Sequence, residues 1–144
     1  MSDSKTAIIT GAQQGIGAGL VEAFLKKGYQ SGNVVNITAA LVDQPVAGVN
    51  ASVSMITKGG LNSVTRSPAI EYAKDGIPFN AVAPGVVDSP LHKDDPKDFL
   101  KTFQPMGKIV DVKDIVDAVL FLAQADQITG EILHVDGGAH AGRW

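Results

Sequence analysis

The sequence predicts an α/β fold, a parallel sheet of about four strands flanked by helices, within one domain covering residues 1–144. Short apolar runs of buried-strand type at residues 7–10, 33–39, 77–83 and 131–135 are set off by turn residues. Apolar residues recur at helical spacing in the stretches before or between them. The first strand passes to its helix through three glycines, Gly11, Gly15 and Gly17.

Taken in order, the first helix carries Ile16, Leu20, Ala23 and Phe24 on one face and ends at Lys26, Lys27 and Gly28, two cations and a glycine suited to a helix C-terminus. The second predicted helix covers residues 51–74. Pro68 within it lacks an N–H and its ring crowds the preceding turn, at about 3 kcal/mol in a helix interior, so a kink or break is expected at 64–68. Asp111 reads as an N-cap for a helix whose Val112, Ile115, Val116, Val119, Leu120 and Ala123 share a face. Residues 89–107 hold Pro90, Pro96 and Pro105 among alternating charges, and read as a connection with a short helix near 97–102.

A chain of 144 residues with 44% hydrophobic content supports one core. A net charge of −3 offers no basic footprint for nucleic acid, and no apolar run approaches the ~20 residues that span a bilayer, so neither partner is expected. There is no cysteine, and residues 1–5 lack the character of a secretory signal, which makes a cytoplasmic home the expectation. His92, His134 and His140 are scattered without metal-ligand spacing, and no metal is expected.

The glycine turn carries the most specific chemistry. Gly11 permits the tight turn, Gly15 lets the backbone approach a ligand, Gly17 allows close packing, and free N–H groups at the helix start point at a bound pyrophosphate. The stretch Thr-Gly-Ala-Gln-Gln-Gly-Ile-Gly at 10–17 resembles the phosphate turn of the short-chain dehydrogenase/reductase family. Four later segments agree with that family in order. Residues 33–38 resemble the strand before the active site, and Lys58-Gly59-Gly60-Leu61 the active-site helix. Residues 79–85 resemble the sixth strand with its Pro-Gly turn, and residues 128–138 the last strand and its following loop.

The resemblance implies a Rossmann-like fold and an NAD(P)-dependent alcohol/carbonyl oxidoreductase. It places Thr10, Gly11, Gly15, Ile16, Gly17, Lys58, Pro84, Gly85 and Ser89 at the cofactor, and makes residues 89–107 a lid over the substrate. Gln13 and Gln14 bring no cation for a 2′-phosphate, which leans toward NAD. Lys58 has two readings, a solvated helix lysine or a retained cofactor contact; Ser89 is a loop serine or a contact to the carboxamide or phosphate.

The departures matter equally. In the family a tyrosine four residues before the lysine transfers the substrate proton, and a serine on the preceding strand orients the carbonyl. Here the first position is Ser54 and the second falls at Ala39 or Ala40, with Thr38 the nearest hydroxyl. Ser54 and Lys58 are therefore the only catalytic candidates. Tyr72 lies eighteen positions beyond Ser54, roughly 27 Å along a helix at ~1.5 Å per residue. The chain also passes from the first helix at Tyr29 and Gln30 directly to the segment resembling the fifth strand. Three strand–helix units are missing against the family pattern, with the acidic residue for the adenosine ribose and the tetrad asparagine. Severely impaired or absent catalysis, with weak or absent NAD(P) binding, is the expectation; the alternative is a non-catalytic homo-oligomeric scaffold keeping only the phosphate turn. Parallel crossovers are right-handed in about 98% of cases, so joining the first strand to the fifth demands a rearranged topology or a strand-exchanged oligomer, at least a dimer.

Overall fold

The computed structural model describes residues 32–142 together with Ile16. Three strands, β1 (Val34–Ile37), β2 (Phe79–Pro84) and β3 (Ile132–Val135), form a sheet in the order β1-β2-β3. Both pairings are parallel: Val34 sits opposite Phe79 and Ile37 opposite Val82, while Ala81 sits opposite Ile132 and Pro84 opposite Val135. The helices between them are α1 (Ser52–Glu71), the short α2 (Lys97–Lys101) and α3 (Val112–Gln124). This is the flanked parallel sheet expected from the sequence. The strand expected at residues 7–10, and with it any rearrangement or exchange of the sheet, lies outside the described residues.

Alternation along the strands divides the interior into two layers. Val82 joins Val87, Val110, Ile115, Val119 and Leu122 in one cluster, with Val35, Ile37, Leu133, Val135 and Ile16 packed around it. Ala81, Ala83 and Ile132 form the second. The first layer is the apolar stripe of α3 laid on the sheet. Ile115 and Leu122 are fully buried, each contributing about 1.5–3 kcal/mol through removal from water. Asp111 has extended backbone ahead of this helix, and its N–H donates to the Asp114 carboxylate at 3.1 Å in a capping box, as the N-cap reading anticipates.

On α1 the buried positions are Asn62, Thr65 and Ala69. The Asn36 amide on β1 donates to the Thr65 hydroxyl at 2.9 Å, and that hydroxyl donates to Leu61 O at 2.8 Å. The helix passes through Pro68 without a break. Thr65 and Ala69 are buried on either side of it, and the Tyr72 N–H closes onto Pro68 O at 2.9 Å, so packing outweighs the proline's intrinsic cost. The helix ends three residues earlier than its periodicity suggests, because a 3-10 turn at Ala73–Asp75 and Gly76 at φ 67° redirect the chain. β1 likewise stops at Ile37, where Thr38 turns its hydroxyl onto Val82 O.

Candidate functional site

Because all three strands run parallel, their C-terminal ends share one edge, the edge at which open α/β sheets hold ligands. Thr38, Ala39 and Ala40 follow β1, Pro84 and Gly85 close β2, and Asp136, Gly137 and Gly138 follow β3. The N-terminal half of α1 reaches this edge. Lys58 is half-buried, and its ammonium donates to Ile37 O, the last carbonyl of β1, at 2.9 Å. An ammonium has three donors, so this bond leaves capacity for a hydroxyl-bearing ligand.

The remaining candidates separate. Ser54 is exposed in the first turns of α1 and lines an open depression with Asn50, Ala51, Ser52 and Val53. Thr38 is buried, and its hydroxyl donates to Val82 O at 3.3 Å, a backbone role. Tyr72 caps the far end of α1, at the opposite end from Ser54. Ser89 is half-buried just ahead of a 3-10 turn at Pro90–His92, with its carbonyl accepting the His92 N–H at 3.0 Å. Ile16 is helical and packs on the α3 layer. Thr10, Gly11, Gly15 and Gly17 lie outside the described residues.

Beyond the Pro84–Gly85 turn the chain makes the connection that the prolines foretell, including α2. Its polar side chains pair locally: Lys97 with Asp88, the His92 ring with Asp95 at 2.7 Å, and Lys101 with Asp98 at 2.8 Å. The hydrogen bond and charge of Lys101 hold the Asp98 carboxyl below the ordinary range.

Three groups escaped the reading of local pattern, the first two at this edge and the third toward the N-terminal ends of the strands. Asp136 is buried at 3% exposure and accepts the N–H of Gly138 at 2.9 Å, the N–H of His140 at 2.8 Å and the His140 ring at 2.9 Å. His134 and His140, read as scattered, stack with ring centroids 3.8 Å apart, and His134 Nε2 meets Asp43 at 2.7 Å. Asn80 is fully buried and bridges the loop before β3, its amide donating to Ile128 O at 2.8 Å and its oxygen accepting the Glu131 N–H at 3.0 Å. Among the described residues no group of three or more histidines and carboxylates is placed to hold a metal ion. None of the described helices is long and apolar enough to cross a membrane.

A family described as enoyl-(acyl carrier protein) reductase matches residues 17–140, most of the chain. The chain belongs to the short-chain dehydrogenase/reductase family. Among relatives of this family, cis-4-hydroxycyclohexanecarboxylate dehydrogenase of Sinomonas cyclohexanicum is 40% identical over 113 residues, 75% of this chain and 45% of that protein. The 3-oxoacyl-(acyl-carrier-protein) reductase of Bos taurus is 37% identical over 109 residues, covering 76% of this chain and 45% of the relative. Among solved structures, ElxO with NADP bound superposes with a TM-score of 0.69 at 27% identity, over 85% of this chain and 51% of that one. The chain thus spans about half the length of the short-chain dehydrogenase/reductases it matches.

Proposed function

We propose that this chain is an NAD(P)-linked alcohol/carbonyl oxidoreductase by descent whose own catalysis is severely impaired or absent. The observation that carries this reading is the pairing at α1. Lys58 keeps an ammonium at the C-terminal end of β1, where it fits a nicotinamide ribose, yet four residues earlier stands the exposed Ser54. A phenol with an unperturbed pKa of about 10 is a serviceable proton donor next to an ammonium; an aliphatic hydroxyl is far weaker. Ala39 and Ala40 carry no hydroxyl to orient a carbonyl.

Among the described residues, Lys58, Pro84, Gly85 and Ser89 are suited to the nicotinamide end of NAD or NADP. When bound, that cofactor supplies the hydride; the chain's contribution is to bind and orient it. That ElxO was solved with NADP bound supports a nucleotide ligand, while Gln13 and Gln14 favour NAD. The internal shortening against the family pattern removes contacts to the adenosine half, so binding is weak.

Titration with NADH and NADPH by fluorescence or calorimetry tests this, together with a carbonyl-reduction screen. Weak binding without turnover is expected. Ser54→Tyr should bring carbonyl reduction to about 10²-fold above the background set by the unmodified protein, the lower end for general acid catalysis, since no orienting serine accompanies it. Tight binding with turnover by the unmodified protein would overturn the reading.

A second reading, a homo-oligomeric module without catalysis, draws on one specific observation. α1 turns Val53, Ile56, Val64 and Ile70 outward, each more than half exposed. Four large apolar side chains on one helix exceed the scattered singles of an ordinary surface. Sedimentation at micromolar concentration should find at least a dimer; a stable, compact monomer would count against it.

A further inference from the structure

We propose that Gln104 is a positioning residue, an interior clasp that holds the two stems of residues 89–103, the greater part of the 89–107 segment that the family resemblance makes a lid, in register with the C-terminal edge of the sheet. The lid leaves the sheet after Val86, Val87 and Asp88 and returns at Gln104. Its stems meet where Val87 and Val110 form a parallel bridge, with the Asp88 N–H donating to Val110 O at 2.8 Å and the Val110 N–H to Val86 O at 2.9 Å. Gln104 adds a third link from the returning stem. Its amide Nε2 donates to that same Val86 O at 2.8 Å, so one carbonyl of the outgoing stem accepts both the Val110 N–H and the Gln104 side chain.

Gln104 also faces the loop after β3. Its Oε1 lies 2.9 Å from where a Cβ on Gly137 would sit, and its Cδ 3.3 Å from the corresponding point on Gly85. One residue pair further along, the Met106 N–H donates to Gly137 O at 3.1 Å. The Gly107 N–H turns back onto Gln104 O at 2.8 Å, with Gly107 at φ 64°. The amide therefore touches the turn after β2, the loop after β3 and the root of the lid.

Stability alone does not account for an amide here. The side chain is 2% exposed and its Oε1 has no hydrogen-bond partner among the described residues, so half of its polarity is buried without return. An apolar side chain of the same volume would avoid that cost. What the amide alone supplies is a directional bond to Val86 O, which fixes one arrangement of the stems. The lid proper has few interior anchors: Leu100 is buried, whereas Leu91 and Phe99 are exposed. Its placement relative to the sheet therefore follows from its root, and this holds whether or not the chain turns over a substrate.

Hydrogen–deuterium exchange of the whole protein and its Gln104→Leu variant tests the assignment. Leucine fills the same space without a donor. The expected result is a melting temperature within a few degrees of the parent, with amide exchange across residues 89–103 faster by about tenfold, and no change in β2 or α3. Unchanged exchange in the lid would overturn the proposal. So would protection lost evenly over lid, β2 and α3, the signature of a general packing role. Gln104→Met, equally apolar but more adaptable, provides the same readout if the leucine variant does not fold. Failure of both to fold would make Gln104 a core residue, and the proposal would fall.

Discussion

Replacing Gly85 with alanine is expected to destabilise the protein by about 3 kcal/mol, through one methyl group. The added Cβ would sit 2.9 Å from the Cα of Asp136 and 3.0 Å from its Cβ, with Gln104 Cδ at 3.3 Å. Two of those three atoms belong to the backbone or its first carbon, which no rotamer change moves. Relief requires the ends of β2 and β3 to part, yet the Gly85 N–H donates to Val135 O at 3.0 Å and Ala83 and Pro84 pair with His134 and Val135. The glycine is needed for proximity rather than for a left-handed backbone, since it is not among the glycines of positive φ. Urea denaturation measures the loss directly, and the melting temperature should fall by roughly 10 °C. A change below about 1 kcal/mol would mean that the two strand ends separate freely, and the Pro-Gly turn would then be no fixed wall of the site.

Elements governed by short-range rules were legible in the sequence. The stripe from Val112 to Ala123 specified α3 and the face it buries, and Asp111 marked its start, because capping and helical periodicity act within a turn or two. Apolar runs located three strands, with ends off by one or two residues, where Thr38 or Gly76 turns the chain. The break expected at Pro68 reflects a local penalty overridden by burial of Thr65 and Ala69. Lys58 stood out through its neighbours in the chain, but its contact did not: Ile37 is twenty-one positions away. Asp43 and His134 are ninety-one positions apart, and no periodicity links them. Gln104 was missed for the same reason, since an amide in a proline-rich connection carries no local signal of burial. Contacts made only when parallel strands bring their ends together are a property of topology, invisible until β1, β2 and β3 are side by side.

Asp136→Ala should cost a further 3 kcal/mol or so, and for a different reason than crowding. Its carboxylate, almost wholly removed from water, accepts from two backbone N–H groups and one imidazole. Hydrogen bonds to a charged acceptor are worth about 1.5–3 kcal/mol each and do not simply add when one group makes all three. Alanine would leave the Gly138 and His140 N–H groups without their acceptor and release the His140 ring. Because that ring stacks on His134, which meets Asp43, the loss reaches the segment after β1 as well. Two observables separate this from ordinary core damage: the His134 and His140 ring-proton shifts should move toward those of unstacked imidazoles, and exchange should quicken at residues 137–142 while α3 stays protected. Asp136→Asn discriminates further. Its amide keeps one oxygen for a backbone N–H but turns a donor toward the others, so an intermediate loss is expected, about 1–2 kcal/mol. If asparagine were as stable as the parent, the negative charge would contribute nothing and geometry alone would hold the loop. If alanine cost less than about 1 kcal/mol, the carboxylate would not organise this edge at all, and the stacked histidines would have to be held by the backbone around them.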